Sequence, residues 1–308
     1  MRDQFIHHMW SSLLEQVQKG DIRGLARAIS FIENEQAGYQ QLLQALPHHP
    51  TSKIIGVTGP PGAGKSTLVD GLIRELVQQE YKIAVLCVDP SSPFNLGAVL
   101  GDRIRMSDWY THPQVYIRSL ATRGSMGGLH PKIIEIADLL KAADFDYIIV
   151  ETVGVGQSEI EIAGLADTTV VVVVPEAGDE VQTMKAGLME IADVFVVNKS
   201  DRPDADVFVR NLRLMLAPAF ATHKQEIQIV KTIAHQHQGL ADLVAAILKH
   251  QHEGSFNEKK VWLLTEKAFQ LIQKERMKDL DKAAIKGAIE SGLAQTNFQL
   301  YQFIQQYL

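Results

Sequence analysis

A chain of 308 residues with 46% hydrophobic and 21% charged residues has the makeup of an ordinary globular protein, long enough for one large domain with extensions or for two small ones. A net charge of −6 gives no reason to expect nucleic acid or an anionic membrane as a partner. The lone cysteine, Cys87, excludes an internal disulfide and suits a reducing compartment.

The opening stretch MRDQFIHHMW lacks the apolar core and small-residue cleavage site of a secretory leader, so a cytoplasmic protein is the simplest expectation. Residues 10–46 space their apolar side chains at three and four, which predicts helices, with Gly20-Asp21 as a break and cap. LPHHPTS, at 46–52, reads as a linker. From Lys53 the pattern changes to short, β-branched, nearly continuous apolar runs: KIIGVT, KIAVLCV, VYIRSL, DYIIVET, TTVVVVV, DVFVVN and EIQIVKTI. Helical patterns at 65–80, 131–143, 180–191, 204–216 and 239–250 separate most of them. Strands apolar on both faces that alternate with helices predict an α/β fold, a mostly parallel central sheet with helices on both faces. From about Asn257 the chain is helical again. There LLTEKAFQLIQ and FQLYQFIQQYL carry apolar stripes that suit either their own domain or a subunit interface. The longest apolar run, TTVVVVVP, has the length of a strand and not of a membrane span.

Between the first such strand and the helix after it stands GVTGPPGAGKSTLVDGLI. Gly59-x-x-x-x-Gly64-Lys65-Ser66 is the spacing of a phosphate loop. Glycines let backbone N–H groups turn toward phosphates, the helix N-terminus adds favourable potential, Lys65 reaches the terminal phosphates and the Ser66 hydroxyl ligates Mg²⁺. The expected phosphate-binding set is Gly59, Pro60, Pro61, Gly62, Ala63, Gly64, Lys65, Ser66 and Thr67. The loop alone specifies a nucleoside triphosphate and not its base.

The base is addressed by FVVNKSD, a strand end carrying Asn198, Lys199 and Asp201. A carboxylate there can accept from guanine N1–H and the exocyclic amine together, a donor pair that adenine lacks. Two hydrogen bonds to a charged group, at about 1.5–3 kcal/mol each, favour guanine by on the order of a hundredfold or more. Lys199 would lay its stem over the base plane. The loop TIAHQHQG should close the pocket, with backbone N–H groups of Ile233, Ala234 and His235 as candidates for the guanine carbonyl.

With these residues and the strand end ETVGVGQSE in hand, the chain resembles the MeaB/ArgK family of P-loop GTPases. GDIRGLARAISFIE, GPPGAGKST, VDPSSPF, LGDRIRM, ATRGSMGGL, ETVGVGQSE, GDEVQTMKAGLMEIAD and NKSD stand as family blocks in family order. The resemblance covers nearly the whole chain. It implies a homodimeric metallochaperone that hydrolyses GTP, gates adenosylcobalamin loading, and protects or reactivates an acyl-CoA mutase of the methylmalonyl-CoA mutase type. The implied ligands are GTP, GDP and Mg²⁺, with no cobalamin bound directly by this chain. The chain departs from the pattern at Asn95-Leu96 and at His235 and His237, which bears on nucleotide exchange more than on binding. The expected division is a helical arm over 1–50, a P-loop GTPase domain over 51–255, and a helical extension over 256–308 as a candidate dimerisation element.

Carboxylates at strand ends suit a hard cation that takes oxygen ligands and keeps waters. Ser66 is therefore expected as a direct Mg²⁺ ligand, with Asp89, Asp102 and Glu151 acting directly or through water. Glu151 stands where many switch GTPases carry an aspartate, and its extra methylene leaves room for a water. Gly154 can give its N–H to the γ-phosphate, and release of that contact on hydrolysis is the order–disorder logic of such switches. Gln157 is a candidate for positioning the attacking water. The expected catalytic set is Lys65, Glu151, Gly154 and Gln157. No residue is an obvious general base, so slow hydrolysis by the protein alone is expected, with Arg103, Arg105, Arg118 and Arg123 as candidate charge stabilisers. Asp179, Glu180 and Lys185, in EAGDEVQTMKAG, are candidates for coupling the nucleotide to the mutase. Three rivals remain: a nickel-inserting maturation GTPase, suggested by 11 histidines and pairs such as His7-His8, His48-His49 and His250-His252; a nucleotide-binding scaffold; and a small-molecule kinase.

Overall fold

The structure, a computed structural model, describes residues 2–47, 51–89, 106–122, 129–152, 158–175, 186–220, 227–254, 257–294 and 298–307. Its described residues fall into two compact units, Met1–Lys260 and Val261–Leu308.

The first unit opens with three helices, α1 (Arg2–Gln18), α2 (Ile22–Glu33) and α3 (Tyr39–Gln44). Asp21 caps α2 by accepting the Arg23 N–H at 3.0 Å, as the Gly20-Asp21 break predicts. Leu25, Ala28, Ile29 and Ile32 form the buried stripe of α2. Trp10 packs edge-on to Phe31, and its indole N–H reaches the Ala37 carbonyl at 3.1 Å.

The sheet follows, in chain order β1 (Lys53–Thr58), α4 (Lys65–Gln78), β2 (Ile83–Asp89), a short 3₁₀ turn (Ser107–Trp109), β3 (Val115–Ala121) and α5 (Ile133–Ala142). Then come β4 (Tyr147–Glu151), α6 (Ser158–Leu165), β5 (Thr168–Val173), α7 (Ala186–Ile191) and β6 (Val194–Val197). It closes with α8 (Ala205–Phe220), β7 (Gln228–Lys231) and α9 (Leu240–Glu253). All seven strands are parallel, in the order β3-β2-β4-β1-β5-β6-β7.

Alternate residues of each strand feed opposite layers, which is why the strands are apolar on both sides. Val57, Val85, Ile149, Val170 and Val196 join α4 and α9 in one core. Val171, Val173, Phe195 and Val197 join α7 and α8 in the other. The order reverses direction at β1, between β4 and β5, and in such sheets ligands sit at the carboxyl ends beside this reversal. The phosphate loop leaves β1 at that point.

The helical arm is fastened to the sheet edge by charge. Arg118 of β3 donates to the Glu33 carboxylate, and to the Ser30 hydroxyl at 3.2 Å. Lys132 meets Glu35 at 2.8 Å and the Tyr39 hydroxyl at 3.1 Å.

The second unit holds most of α10 (Glu258–Arg276), then α11 (Lys282–Leu293) and a short α12 (Leu300–Phe303). No residue of these three helices is buried, and Trp262, Phe269 and Tyr301 lie exposed.

Candidate nucleotide-binding site

The loop from Thr58 to Lys65 is shaped by two glycines. Gly59 adopts φ +141°, and a Cβ there would stand 2.1 Å from the Val172 carbonyl oxygen, so no other residue fits. Gly64, at φ +90°, precedes α4 without any side-chain cap. The first N–H groups of α4 stand at the positive end of the helix, the kind of place where phosphates bind. Ala63 is buried beneath the loop, while Pro61 and Gly62 are exposed and Pro60 and Thr67 half-buried.

Lys65 is itself buried and folds back over the loop, donating to the Gly59 carbonyl at 2.9 Å and the Pro60 carbonyl at 3.1 Å. Ser66 Oγ donates to Glu151 Oε1 at 2.7 Å. The glutamate at the end of β4 therefore does reach the hydroxyl at the start of α4, and two oxygen ligands of the kind Mg²⁺ prefers converge there. The donor set fits such an ion. Asp89 ends β2, two residues beyond the Cys87 that lies beside Glu151 in the sheet, and pairs with Ala121. Thr152 Oγ1 donates to Thr58 Oγ1 at 2.8 Å, closing the strands just below.

Asn198 is 2% exposed and acts as a brace. Its amide donates to the Ala63 carbonyl at 2.8 Å. Its carbonyl accepts from Thr232 Oγ1 and from the Ala234 N–H, both at 3.1 Å. One side chain thus joins the phosphate loop to the loop expected to close over the base. That geometry narrows the candidates for the guanine carbonyl. The Ile233 N–H goes to the Gln238 carbonyl at 3.1 Å, and that of Ala234 to Asn198. The His235 N–H makes no backbone hydrogen bond among the described residues. Lys199 takes φ +56°, and Ser200 bonds the Thr232 carbonyl through both its N–H and its hydroxyl, each at 3.1 Å. Asp201 is exposed and has no side-chain partner among the described residues, so its carboxylate is open to a donor pair.

Arg118 departs from expectation. Its guanidinium is committed to Glu33 and Ser30 of the helical arm, which removes it from the candidates for charge stabilisation. Asp102, Gly154, Gln157, Asp179, Glu180, Lys185, Arg103, Arg105 and Arg123 lie outside the described residues, as does the Asn95-Leu96 departure. What the sequence misses is an anchor ahead of β3: Trp109 donates its indole N–H to Asp70 of α4 at 2.7 Å. Among the described residues no group of three or more His, Cys, Asp or Glu is placed to hold a metal ion, and no helix is long and apolar enough to cross a membrane.

Comparison with known proteins finds relatives named as GTPases. A Pyrococcus abyssi relative, named provisionally as a GTPase, is 42% identical over 295 residues, 94% of this chain and 90% of its own. The GTPase ArgK of Escherichia coli is 40% identical over 61% of this chain and 58% of its own. The mouse methylmalonic aciduria type A homolog, mitochondrial, is 31% identical over 81% of this chain and 64% of its own. In fold, the crystal structure of an LAO/AO transport system kinase covers 97% of this chain and 96% of its own with a TM-score of 0.68 at 24% identity. HypB from Helicobacter pylori, solved with nickel, covers 74% of this chain and 99% of its own with a TM-score of 0.50 at 18% identity. The family model described as methylmalonyl Co-A mutase-associated GTPase MeaB matches residues 25–285, and the chain belongs to that family.

Proposed function

We propose that this protein binds GTP with Mg²⁺, hydrolyses it slowly on its own, and uses the cycle to gate adenosylcobalamin loading of an acyl-CoA mutase of the methylmalonyl-CoA mutase type, which it protects or reactivates. The observation that carries the nucleotide part is the Asn198 brace, which links the phosphate loop to the base loop beside the open Asp201 carboxylate. Family membership and the mouse relative's name support the mutase part.

In this reading Lys65 exchanges the Gly59 and Pro60 carbonyls for the terminal phosphates, and the phosphate oxygens lie at the N-terminus of α4. Ser66 and Glu151 hold the Mg²⁺, with Asp89 and Asp102 as further candidates; when bound, the ion offsets the charge that develops on the leaving phosphates. Gly154 and Gln157 remain candidates for sensing the γ-phosphate and placing water. Phosphoryl transfer depends chiefly on positioning and charge stabilisation, so Arg103, Arg105 and Arg123 remain the candidate stabilisers, to be set in place when the partner binds. Asp179, Glu180 and Lys185 are candidates for that coupling. The chain is proposed to act as a cytoplasmic homodimer, for which the exposed apolar residues of α10 to α12 supply the surface.

The test is phosphate release and cobalamin transfer measured with and without a purified mutase, under GTP, GDP and ATP. Stimulation by the mutase with GTP alone supports the reading. Equal use of ATP, or cobalamin loading indifferent to nucleotide, overturns it.

A further inference from the structure

At the amino-terminal rim of the sheet, opposite the nucleotide, one short segment gathers bonds from several elements. Asn257 is the pivot. Its Oδ1 accepts the Lys260 N–H at 3.0 Å and so caps the start of α10. Its amide donates to the carbonyls of Ala163 and Ala166, at 3.3 and 3.2 Å, where α6 ends. A single side chain therefore satisfies the beginning of one helix and the end of another. Two residues on, Lys259 donates to the Glu190 carbonyl in the last turn of α7 at 2.7 Å. A cation there also complements the negative end of the helix dipole. Lys260 reaches Asp167 at 3.4 Å, and Asp167 grips β1 through both its carboxylate and its amide, each at 2.8 Å from Ile54.

These three anchor points bear on the nucleotide through the strands and helices themselves. β1 runs from Ile54 directly into Gly59. α6 packs on β1 at Gly56, where a Cβ would come within 2.7 Å of Ile162 and 3.0 Å of Ala166. α6 and α7 also pack on each other, and α6 is the next described helix after Glu151. Desolvation pushes the Lys259 ammonium below the usual lysine range, against the pull of Asp193 and Glu190. A lysine is held there for its donor geometry and not for an easy charge.

We propose that Asn257, Lys259 and Lys260 are positioning residues of the GTP cycle, which fix the ends of α6 and α7 and the base of β1 and so couple the start of α10 to the nucleotide state. The proposal rests on the GTPase reading above. It predicts that the free energy difference between GTP-bound and GDP-bound forms depends on residues at the far end of the sheet. A brace that serves stability alone predicts no such dependence.

The experiment compares the full-length protein with Asn257→Ala, Lys259→Met and Lys259→Arg. Calorimetry measures affinity for GDP and for a non-hydrolysable GTP analogue, and melting is recorded alongside. We expect Asn257→Ala and Lys259→Met to change the ratio of the two affinities by about fivefold or more, the lower end of coupling between linked sites. Lys259→Arg, which keeps a donor for the Glu190 carbonyl, should restore the wild-type ratio. Unchanged ratios with only a lower melting temperature overturn the proposal. Should Asn257→Ala fail to fold, Lys259→Met decides alone, since it removes one hydrogen bond. A wild-type protein that binds no guanine nucleotide would instead remove the GTPase reading itself, an outcome separate from an unchanged ratio.

Discussion

Asn198 and Asp201 stand three positions apart and carry different duties. Asn198 is buried and holds two loops together, whereas Asp201 is exposed and faces solvent. Replacing Asn198 with Ala strands the Ala63 carbonyl and the Thr232 hydroxyl, and each buried polar group left unpaired costs about 1–3 kcal/mol. The expected outcome is weaker binding of GTP and ATP alike, with the preference for guanine kept. Asp201→Asn should do the reverse, abolishing most of the preference while leaving the fold intact. Competition between the two nucleotides, measured by calorimetry on both variants, checks the pair. Glu151→Gln belongs beside them. It retains an oxygen for the Ser66 hydroxyl and loses the charge, so affinity for Mg²⁺ should fall by about 10- to 100-fold, as for other groups that support a metal site. Titrating turnover against Mg²⁺ reads this directly. The phosphate loop was legible because its glycine spacing is dictated by steric exclusion at Gly59. The bracing role of Asn198 was not, because its partners Ala63 and Thr232 come from other loops. Arg118 was misread for the same reason, since Glu33 lies 85 positions away.

The elements were legible to the extent that their periodicity is unmixed. β1 and β5 read as strands buried on both faces because nearly every residue in them is. α6 escaped notice. It has only eight residues, and Ile160 and Ile162 alternate as they would in a strand. Its position is nevertheless set by one sequence feature, the glycine in KIIGVT. Gly56→Ala should force α6 off β1, since overpacking of this kind costs about 1–3 kcal/mol, and chemical denaturation will show the loss. The join between β3 and the helical arm gives a second prediction. Burial raises Tyr116 from 10.0 to about 12, with Glu33 adding to the rise and Arg118 opposing it. The unfolded tyrosine ionises first, so the fold is favoured below pH 10 and loses that support as pH climbs toward 12. Tyr147, also buried, behaves alike. Tyr116→Phe should therefore flatten the fall in stability over this window, as followed by denaturant midpoints at successive pH values.

At the scale of the molecule the chain presents an imbalance. The first unit buries its apolar residues in layered cores, while the second leaves Val261, Trp262, Leu264, Phe269, Leu271 and Ile272 exposed at 40% or more. The stripes were visible in LLTEKAFQLIQ, but a stripe does not say whether its own domain or another molecule covers it. An apolar surface of this kind on a free monomer favours association, and cyclic dimers are the commonest closed solution. Trp262 and Phe269 lie one seven-residue step apart on α10, a spacing that returns to nearly the same helix face. If a second copy covers that face, a carboxylate at each position would have to be buried unpaired at the interface, which opposes association by several kcal/mol. The double variant Trp262→Asp, Phe269→Asp should sediment as a monomer at concentrations where the unaltered protein sediments as a dimer, with GDP affinity close to the original because the phosphate loop lies in the other unit. A dimer that survives both substitutions places the interface elsewhere, and a unaltered protein that is monomeric at all concentrations removes the homodimer from the proposed cycle.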